Sequence, residues 1–483
     1  MRWKTTLILL LVTVGIGAYI SLYEIRQPSA EQRQRLAKRI LELQPDVITQ
    51  LMLDLPKAKV TLTRQGATWT LTPDGVRADP ALINQLLRHF DPLMAERIFS
   101  GSSPHPLDQK TFGLDPAVGQ ITFTANASAT TLLVGETTPV QNQRYVKISS
   151  RPDIFVVAGT FFDAADQPRE TFRDHQLVRF DSWTTEALEV RSATTHVSLK
   201  RTDNEWTIAA PFSDRAGRTE INAFLTTIAG ISIKRFVTDT PQAEELSGWG
   251  FDQPKVEVSL SKHGEPATTT VLLFGKPLAE NPSLVYAKRR DEPSVYAVLS
   301  TDMESLLKDP GILRMKNCFD AFTGLINKIE VTREEGASWV VERSETGQWR
   351  EAGSSTDLDS QHVDQWLDQL TGLQAEGFLD AGPAELAHYG LQPAAATLTL
   401  WVEREPKPQR LLIGTNVPDS PQHYGLIESR QALVRLPELV TSLLDTTPKQ
   451  LRATSAANAS PEKRAVDRSK NGATTPAKAR QSQ

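Results

Sequence analysis

One pattern occurs three times along this chain, and this internal repeat limits the possible folds more than any other feature. Each copy contains a turn-like segment that starts with an aromatic residue and glycine: FGLDP at 112–116, WGFDQP at 249–254 and YGLQP at 389–393. An apolar run follows each turn and ends in glycine. These glycines are Gly135, Gly275 and Gly414, which lie 140 and 139 residues apart. A fixed period indicates that similar structural units follow one another along the chain.

A tryptophan precedes each turn, and a helix is predicted between the two. The tryptophans are Trp69, Trp206 and Trp349, and the expected helix N-caps are Asp79, Thr219 and Asp359. Apolar residues then recur at 0, +3, +4, +7 and +10, which places them on one helix face. They are Ile83, Leu86, Leu87, Phe90 and Leu93; Ile221, Phe224, Leu225, Ile228 and Ile231; and Val363, Trp366, Leu367, Leu370 and Leu373. We interpret the repeated tryptophans as core residues and the repeated glycines as turn positions with positive φ.

Strands are predicted on both sides of this helix. Each copy begins with a hairpin, such as residues 60–64 and 68–72 in the first copy. About four strands follow the helix, and a shorter helix is expected near residues 160–173, 301–309 and 437–445. The predicted fold class is therefore α+β, with three tandem units of mainly antiparallel sheet and one longer and one shorter helix in each, preceded by a single transmembrane helix.

The repeat and the composition of its flanks divide the chain into six predicted segments. They are an N-terminal transmembrane anchor at residues 1–28, a basic helical stalk at 29–44, repeat units at 45–180, 181–320 and 321–448, and a disordered basic tail at 449–483.

The anchor is predicted from residues 5–23, a run of 19 residues without a charged side chain. That length is enough for a helix to cross the apolar part of a bilayer. Trp3, Tyr19 and Tyr23 stand at its ends, where interfacial aromatic residues are common. A cleaved signal peptide is the alternative, although no convincing small-residue cleavage site follows. We expect the bulk of the chain to lie on the extracytoplasmic, periplasmic side of the cell membrane.

The charge distribution argues against nucleic acid as a partner. The formal net charge of −5 combines +6 from residue 449 onward, +2 up to residue 28 and −13 in between. A body this acidic is poorly suited to neutralise phosphates. The single cysteine, Cys318, excludes an internal disulfide framework and a metal site made of several thiolates.

No catalytic, cofactor-binding or metal-ligating residue is predicted, because the candidates lack the companions that their chemistry needs. The histidines have neither HExxH nor another close metal-ligand spacing; they are His89, His105, His175, His196, His263, His362, His388 and His423. Ser305 and Lys308 match the S-x-x-K pattern of penicillin-binding serine enzymes, but the S-D-N and K-T-G segments are missing.

Two further groups of residues have simple structural interpretations. Asp357, Asp359, Asp364 and Asp368 surround a helix start, and we interpret them as a cap and a solvated helix face rather than a cation site. Cys318 is interpreted as a small buried hydrophobic residue, because no general base or orienting group is evident for it.

The ordered combination of these motifs resembles the bacterial family called "domain of unknown function 4340", over about residues 45–447. The resemblance depends on the three tryptophans, the three turns, the runs LLVG, LLFG and LLIG, and the tyrosines Tyr145, Tyr286 and Tyr424. The third copy departs from the others, with Gln392 where they have Asp115 and Asp252. The resemblance implies membrane-anchored extracytoplasmic proteins whose genes often accompany ABC transporters, and it brings no catalytic residues.

We therefore expect a non-enzymatic, membrane-anchored scaffold or accessory protein, associated with an ABC-type transporter of the cell envelope. A module that binds envelope glycan or another ligand is the alternative, and an unrecognised hydrolase is a weaker one. A repeated aromatic groove would favour the binding module, and an acid–base pair in one deep pocket would favour the enzyme.

Overall fold

The computed structural model describes residues 3, 13, 38–101, 107–139, 142–262, 268–354, 356–379 and 385–452. The chain divides into two compact bodies. The first comprises Met1–Phe212 and Arg218–Pro310, and the second comprises Ser213–Gly217 and Gly311–Gln483. The first body contains the sheets of the first two repeats, and the second body contains the sheet of the third repeat.

In the first repeat, the strands are β1 (Arg39–Leu41), β2 (Ile48–Asp54), β3 (Lys59–Gln65), β4 (Thr68–Thr72), β5 (Val76–Ala78), β6 (Leu93–Met94), β7 (Arg97–Phe99), β8 (Gly119–Ala125), β9 (Ser128–Thr137), β10 (Gln143–Ile148) and β11 (Ile154–Ala158). The helices are α1 (Pro80–Arg88) and α2 (Thr160–Ala165). Nine strands form one antiparallel sheet in the order β5–β4–β3–β2–β8–β9–β10–β11–β7, and β1 pairs with β6 separately.

In the second repeat, the first body contains β12 (Thr185–Ser192), β13 (His196–Thr202), β14 (Glu205–Ala210), α3 (Arg218–Ala229), β16 (Arg235–Thr238), α4 (Ala243–Gly248), β17 (Val256–Lys262), β18 (Thr268–Pro277), β19 (Leu284–Arg289), β20 (Val295–Leu299) and α5 (Ser300–Glu304). These strands follow the order β14–β13–β12–β17–β18–β19–β20–β16.

The second body contains β15 (Asp214–Arg215), β21 (Ile326–Arg333), β22 (Trp339–Arg343), β23 (Trp349–Glu351), α6 (Ser360–Thr371), β24 (Gly377–Leu379), β25 (Ala396–Val402), β26 (Gln409–Asn416), β27 (His423–Ile427), β28 (Ala432–Leu436) and α7 (Leu439–Asp445). Its sheet has the order β23–β22–β21–β25–β26–β27–β28–β24. Apart from the edge strand β5, the same order of eight strands therefore occurs three times, with β2, β12 and β21 in the interior of their sheets.

The longer helices bury the predicted apolar face. Asp79 and Asp359 are N-caps as expected, because their carboxylates accept backbone N–H bonds of the first turn. Helix α3 instead begins at Arg218, one residue before the predicted cap, Thr219. Helix α1 ends at Arg88, so the buried residues Phe90 and Leu93 lie beyond it. Ile231 and Leu373 likewise lie beyond the ends of α3 and α6. The prediction that the residues at +10 share the helix face is therefore wrong in all three copies, as it is for Phe90, and in the first copy Pro92 disfavours helical backbone just before it.

The predicted fold class, α+β units behind a transmembrane helix, is wrong. In the described residues the structure is mostly antiparallel, with 42% strand, arranged in four sheets, and 20% helix. The shorter helices have only five to seven residues. Each large sheet also has more strands than the sequence predicts, because an edge strand such as β7 forms only by pairing with a strand that is distant in sequence. In the part of the chain that the structure describes, no helix is long and apolar enough to cross a membrane. Residues 5–23, except Thr13, lie outside the described residues.

Two other predictions concern the flanks of the repeats. The segment 29–44 is predicted as a helical stalk, but its described part contains strand β1. Residues 29–37 and the tail from residue 453 onward lie outside the described residues.

The repeated glycines have two different roles. Gly113, Gly250 and Gly390, within the aromatic–glycine turns, have positive φ angles, as expected. Gly135, Gly275 and Gly414, which end the apolar runs, do not have positive φ angles. The prediction for these three positions is wrong, and glycine occurs there for a steric reason. A Cβ atom on Gly275 would lie well under 3.0 Å from the carbonyl oxygen of Trp249. The same close approach occurs between Gly414 and Tyr389, so the strand passes directly against the turn.

The aromatic residue of each turn packs on the repeated tyrosine. The ring centroids are 4.9 Å apart for Phe112 and Tyr145, 5.0 Å for Trp249 and Tyr286, and 4.7 Å for Tyr389 and Tyr424. All six rings are half-buried. These pairs, with the glycine contact beside them, explain why the sequence motif recurs as a unit.

Candidate functional site

Each repeated tryptophan is buried in its own repeat and has an arginine beside its ring. The exposed fractions are 1% for Trp69, 7% for Trp206 and 1% for Trp349, which confirms the prediction that they are core residues. The guanidinium carbons of Arg64, Arg201 and Arg343 lie 5.9, 5.8 and 4.9 Å from the respective ring centroids.

These arginines also hold the turn that precedes the first strand of each repeat. Arg64 Nη1 donates to the carbonyl oxygen of Asp46 at 3.1 Å, and Arg343 Nη1 donates to that of Gly324 at 3.3 Å. Arg201 Nη1 donates to the carbonyl oxygen of Ser182 at 3.3 Å. The sequence interpretation missed this repeated position. Its signal is an arginine five or six residues before each repeated tryptophan.

In the second repeat, the arginine borders a cleft of about 330 Å³ that lies entirely within the first body. The hairpin β13–β14 forms one wall, helix α3 forms the other, and the segment before β12 completes the lining. The polar and aromatic lining residues are Phe180, Ser182, Trp183, Arg201, Asn204, Trp206, Arg218, Asn222 and Thr226. The cleft therefore combines an indole ring with amide, hydroxyl and guanidinium groups.

Trp183 is the exposed aromatic residue of this cleft. Its exposed fraction is 77%, although its backbone is held from two sides. Its N–H donates to Asp181 Oδ1 at 2.8 Å, and its carbonyl oxygen accepts a hydrogen bond from Arg201 Nη2. The ring is thus exposed to solvent on a fixed backbone.

The electrostatic character of the cleft is positive. Arg201 and Arg218 line it, and no acidic residue does. Arg201 is committed to carbonyl oxygens, whereas Arg218 is exposed and, within the described residues, its side chain has no hydrogen bond or ion pair. The same holds for the side-chain amides of Asn204 and Asn222. These three side chains can bind a ligand without losing an existing contact.

The corresponding helix face of the third repeat is acidic. Asp364 and Asp368 lie on α6 where Asn222 and Thr226 lie on α3. Arg343 Nη2 lies 3.7 Å from Asp364 Oδ1, and Thr323 donates its hydroxyl to Asp368 Oδ1 at 2.8 Å. The third repeat therefore has carboxylates at the helix positions where the second repeat has Asn222 and Thr226.

The acidic residues around the start of α6 have separate partners. Asp357 Oδ1 lies 2.5 Å from Arg350 Nε, and Asp359 caps the helix. No group of three or more histidine, cysteine, aspartate or glutamate residues with the geometry of a metal site occurs in the described ranges.

The histidines are dispersed. His196 Nε2 lies 2.8 Å from Glu189 Oε1, and His423 Nε2 lies 2.9 Å from the hydroxyl of Thr441. His175 packs edge-on against Phe236, with 5.1 Å between the ring centroids. The other described histidines are His89 after α1, His362 near Asp359 and His388 beside Tyr389. His105 and His263 lie outside the described residues.

Ser305 and Cys318 have structural surroundings. The Ser305 hydroxyl donates to the carbonyl oxygen of Asp302 at 2.6 Å. Cys318 is 4% exposed, and burial raises the pKa of its thiol to about 12, against the lowering effect of Arg430. The thiol is therefore protonated at neutral pH and is not an activated nucleophile.

Near Cys318, the second body contains a buried charge cluster that the sequence interpretation did not identify. Asp214, whose side chain is fully buried, accepts a hydrogen bond from Arg314 Nε at 2.6 Å and lies 3.3 Å from Arg430 Nη1. Arg430 Nη1 also donates to the carbonyl oxygen of Met315 at 2.8 Å. Burial and nearby Arg314 lower the pKa of Arg430, while Asp214 raises it. Because these groups already have partners, the cluster is structural.

The comparisons with known proteins point to one family. The family model described as "Domain of unknown function (DUF4340)" matches residues 69–247, 206–359 and 349–481. The three matches begin at the three repeated tryptophans, which supports the repeat-like copies. No curated protein and no solved structure matches the chain.

Proposed function

The chain belongs to the family of domain of unknown function 4340, and on this premise we propose that it is a non-enzymatic scaffold or accessory protein of the cell envelope. Its partner is a subunit of an ABC-type transporter, which it contacts through an exposed aromatic residue of the third repeat. The resemblance noted above motivates the class of partner, and the surface of the second body supplies the contact.

The observation that carries this proposal is the exposure of Phe322. Its exposed fraction is 81%, the largest among the exposed large hydrophobic residues of the described ranges. Leu325, which is 43% exposed, lies on the same short turn. Exposed aromatic residues of this kind are frequent anchors of protein–protein interfaces.

The turn that carries Phe322 is held in one conformation. The Leu325 N–H donates to the carbonyl oxygen of Phe322 at 2.9 Å. Arg343 binds the carbonyl oxygen of Gly324, and Thr323 binds Asp368 on α6. A fixed turn loses little conformational entropy on binding, which favours its use as an interface.

The proposed location is the extracytoplasmic side of the cell membrane, with attachment through the uncharged residues 5–23. A reporter that is active only in the cytoplasm, fused after Pro448, is expected to stay silent. An active reporter would contradict this location.

Site-specific crosslinking tests the interface. A photo-crosslinking amino acid at position 322 of the full chain is expected to capture a transporter subunit in intact membranes. Leu439, which is 42% exposed in the same body, is the matched control position. Phe322→Ala should weaken the affinity for the subunit about thirtyfold or more and lower the co-purified amount accordingly, since interface anchors contribute about 2 kcal/mol or more. Equal capture from both positions, or unchanged co-purification, would refute the proposal.

A further inference from the structure

We propose that the cleft of the second repeat binds a carboxylate-bearing sugar, as found in acidic polysaccharides. This inference goes beyond the scaffold function and is independent of it. It uses Trp183, Asn204, Arg218 and Asn222 in the first body, whereas the scaffold proposal uses Phe322 in the second.

The indole of Trp183 provides the surface on which a sugar ring stacks. One face of a pyranose ring consists of C–H groups, and its contact with a flat aromatic ring removes apolar surface from water. The ring is 77% exposed, so a ligand does not have to displace a protein group. Asp181 and Arg201 hold its backbone, so the segment that carries the ring is ordered before the ligand arrives.

Side chains on both walls match the hydroxyl groups of a sugar. Asn204 follows β13 and Asn222 lies on α3, and each amide offers two N–H donors and one acceptor oxygen. The Thr226 hydroxyl donates to the carbonyl oxygen of Asn222 at 2.8 Å, which leaves its oxygen free to accept a hydrogen bond. Neighbouring sugar hydroxyls both donate and accept hydrogen bonds, so they can pair with the donors and acceptors of these two amides and this hydroxyl.

Arg218 selects a carboxylate. Its planar guanidinium can donate two parallel hydrogen bonds to a carboxylate, a geometry that lysine cannot provide. Arg201 adds positive charge but is held by backbone carbonyls, so it acts as a positioning residue for Trp183. Residues 29–448 carry a formal charge of −13, and an acidic ligand is therefore repelled by most of the surface and attracted to this cleft.

The size of the cleft fits a short segment of a glycan. Ligand sites usually have volumes of about 300–1,000 Å³, and this cleft of about 330 Å³ lies at the lower end of that range. An acidic peptide could also pair with Arg218, but it lacks the ring and the array of hydroxyls that Trp183 and the two asparagines match.

Calorimetric titration of the full-length protein tests this proposal with three probes. They are trigalacturonate, its fully methyl-esterified form, which keeps the sugar rings but removes the charge, and a triglutamate peptide, which keeps the charge but removes the rings. We expect trigalacturonate to bind about tenfold more tightly than either of the others, since a charge-assisted hydrogen bond contributes about this factor. Binding should weaken as the salt concentration rises.

Two substitutions identify the site. Trp183→Ala and Arg218→Gln should each weaken trigalacturonate binding about tenfold, with unchanged melting temperatures because both side chains are exposed. Ile98→Ala and Arg290→Gln, which change an exposed apolar and an exposed charged residue of the first body outside the cleft, should leave binding unchanged.

Three results would overturn the proposal: no binding of trigalacturonate to the wild-type protein at millimolar concentration, equal binding of the esterified probe or the peptide, or full binding by the Trp183→Ala variant. Phe322→Ala should retain sugar binding, and Trp183→Ala should retain crosslinking from position 322. Failure of this proposal is thereby distinguished from failure of the scaffold proposal.

Discussion

The guanidinium carbon of Arg173 lies 3.8 Å from the ring centroid of Phe236, so a residue at the end of the first repeat covers an aromatic ring of the second. Its Nη atoms also donate to the two carboxylate oxygens of Asp239, at 2.6 and 3.1 Å. The Arg173 side chain is only 6% exposed. The first and second repeats are thus joined by a desolvated contact that combines cation–π and ionic attraction.

The second body contains the same type of contact. The guanidinium carbon of Arg314 lies 4.0 Å from the ring centroid of Phe378, the phenylalanine that corresponds to Phe236. Arg314 Nε also pairs with Asp214 at 2.6 Å. The arginine–phenylalanine contact therefore recurs in the second body.

Arg173→Ala is expected to lower the free energy of unfolding of the first body by about 3 kcal/mol, because a largely buried ion pair loses one partner. Urea-induced unfolding of the full chain measures this change. The control is Arg191→Ala, which removes an arginine that is 60% exposed and paired with Glu189, and which should cost about 0–1 kcal/mol. Equal effects of the two substitutions would contradict a special role for the junction.

Trp206→Ala is expected to destabilise the protein by about 3–5 kcal/mol, because a large side chain that is 7% exposed leaves a cavity and Arg201 loses the ring beside it. Thermal melting provides the measurement. Trp183→Ala is the matched control and should change stability by about 0.5 kcal/mol or less, since its ring is exposed. An unchanged melting temperature for Trp206→Ala would mean that Trp206 is not part of the core.

Gly275→Ala should destabilise the protein by about 1–3 kcal/mol, because the added Cβ would collide with the carbonyl oxygen of Trp249. The control is Gly248→Ala, which adds a Cβ directly before the Trp249 turn without such a collision. An added Cβ at Gly248, the last residue of α4, meets no atom within 4 Å, so this variant should be neutral or slightly more stable. Similar unfolding midpoints for the two variants in urea would contradict the close approach.

Cys318 should make the stability of the second body depend on pH in the alkaline range. Burial raises the pKa of the folded thiol from 9.0 to about 12, so between these values only the unfolded state loses the proton. Ionisation of the thiol therefore favours the unfolded state. The stability that the protonated thiol contributes is fully present below pH 9 and is lost as the pH rises from 9 to about 12. The difference in unfolding free energy between wild type and Cys318→Ala should fall by about 1.4 kcal/mol per pH unit. A pH-independent difference would indicate an accessible thiol.

Much of the repeat could be predicted from local patterns. The apolar spacing in each copy identifies the buried residues of the longer helices, and the tryptophans are core residues as expected. The candidate cleft was not predicted. Arg201, Trp183 and Arg218 come from three separate segments, and nothing in the spacing of one segment indicates that the others meet it.

The sequence by itself determined the number of copies, the period between them and the side chains that face each core, because periodicity and hydrophobicity are properties of contiguous residues. Only the tertiary structure decided the order of the strands, the steric reason for Gly275 and the pairing of Arg173 with Phe236. Those features depend on which distant segments pack together, and packing is selected by the shape and burial of the whole body rather than by any one segment.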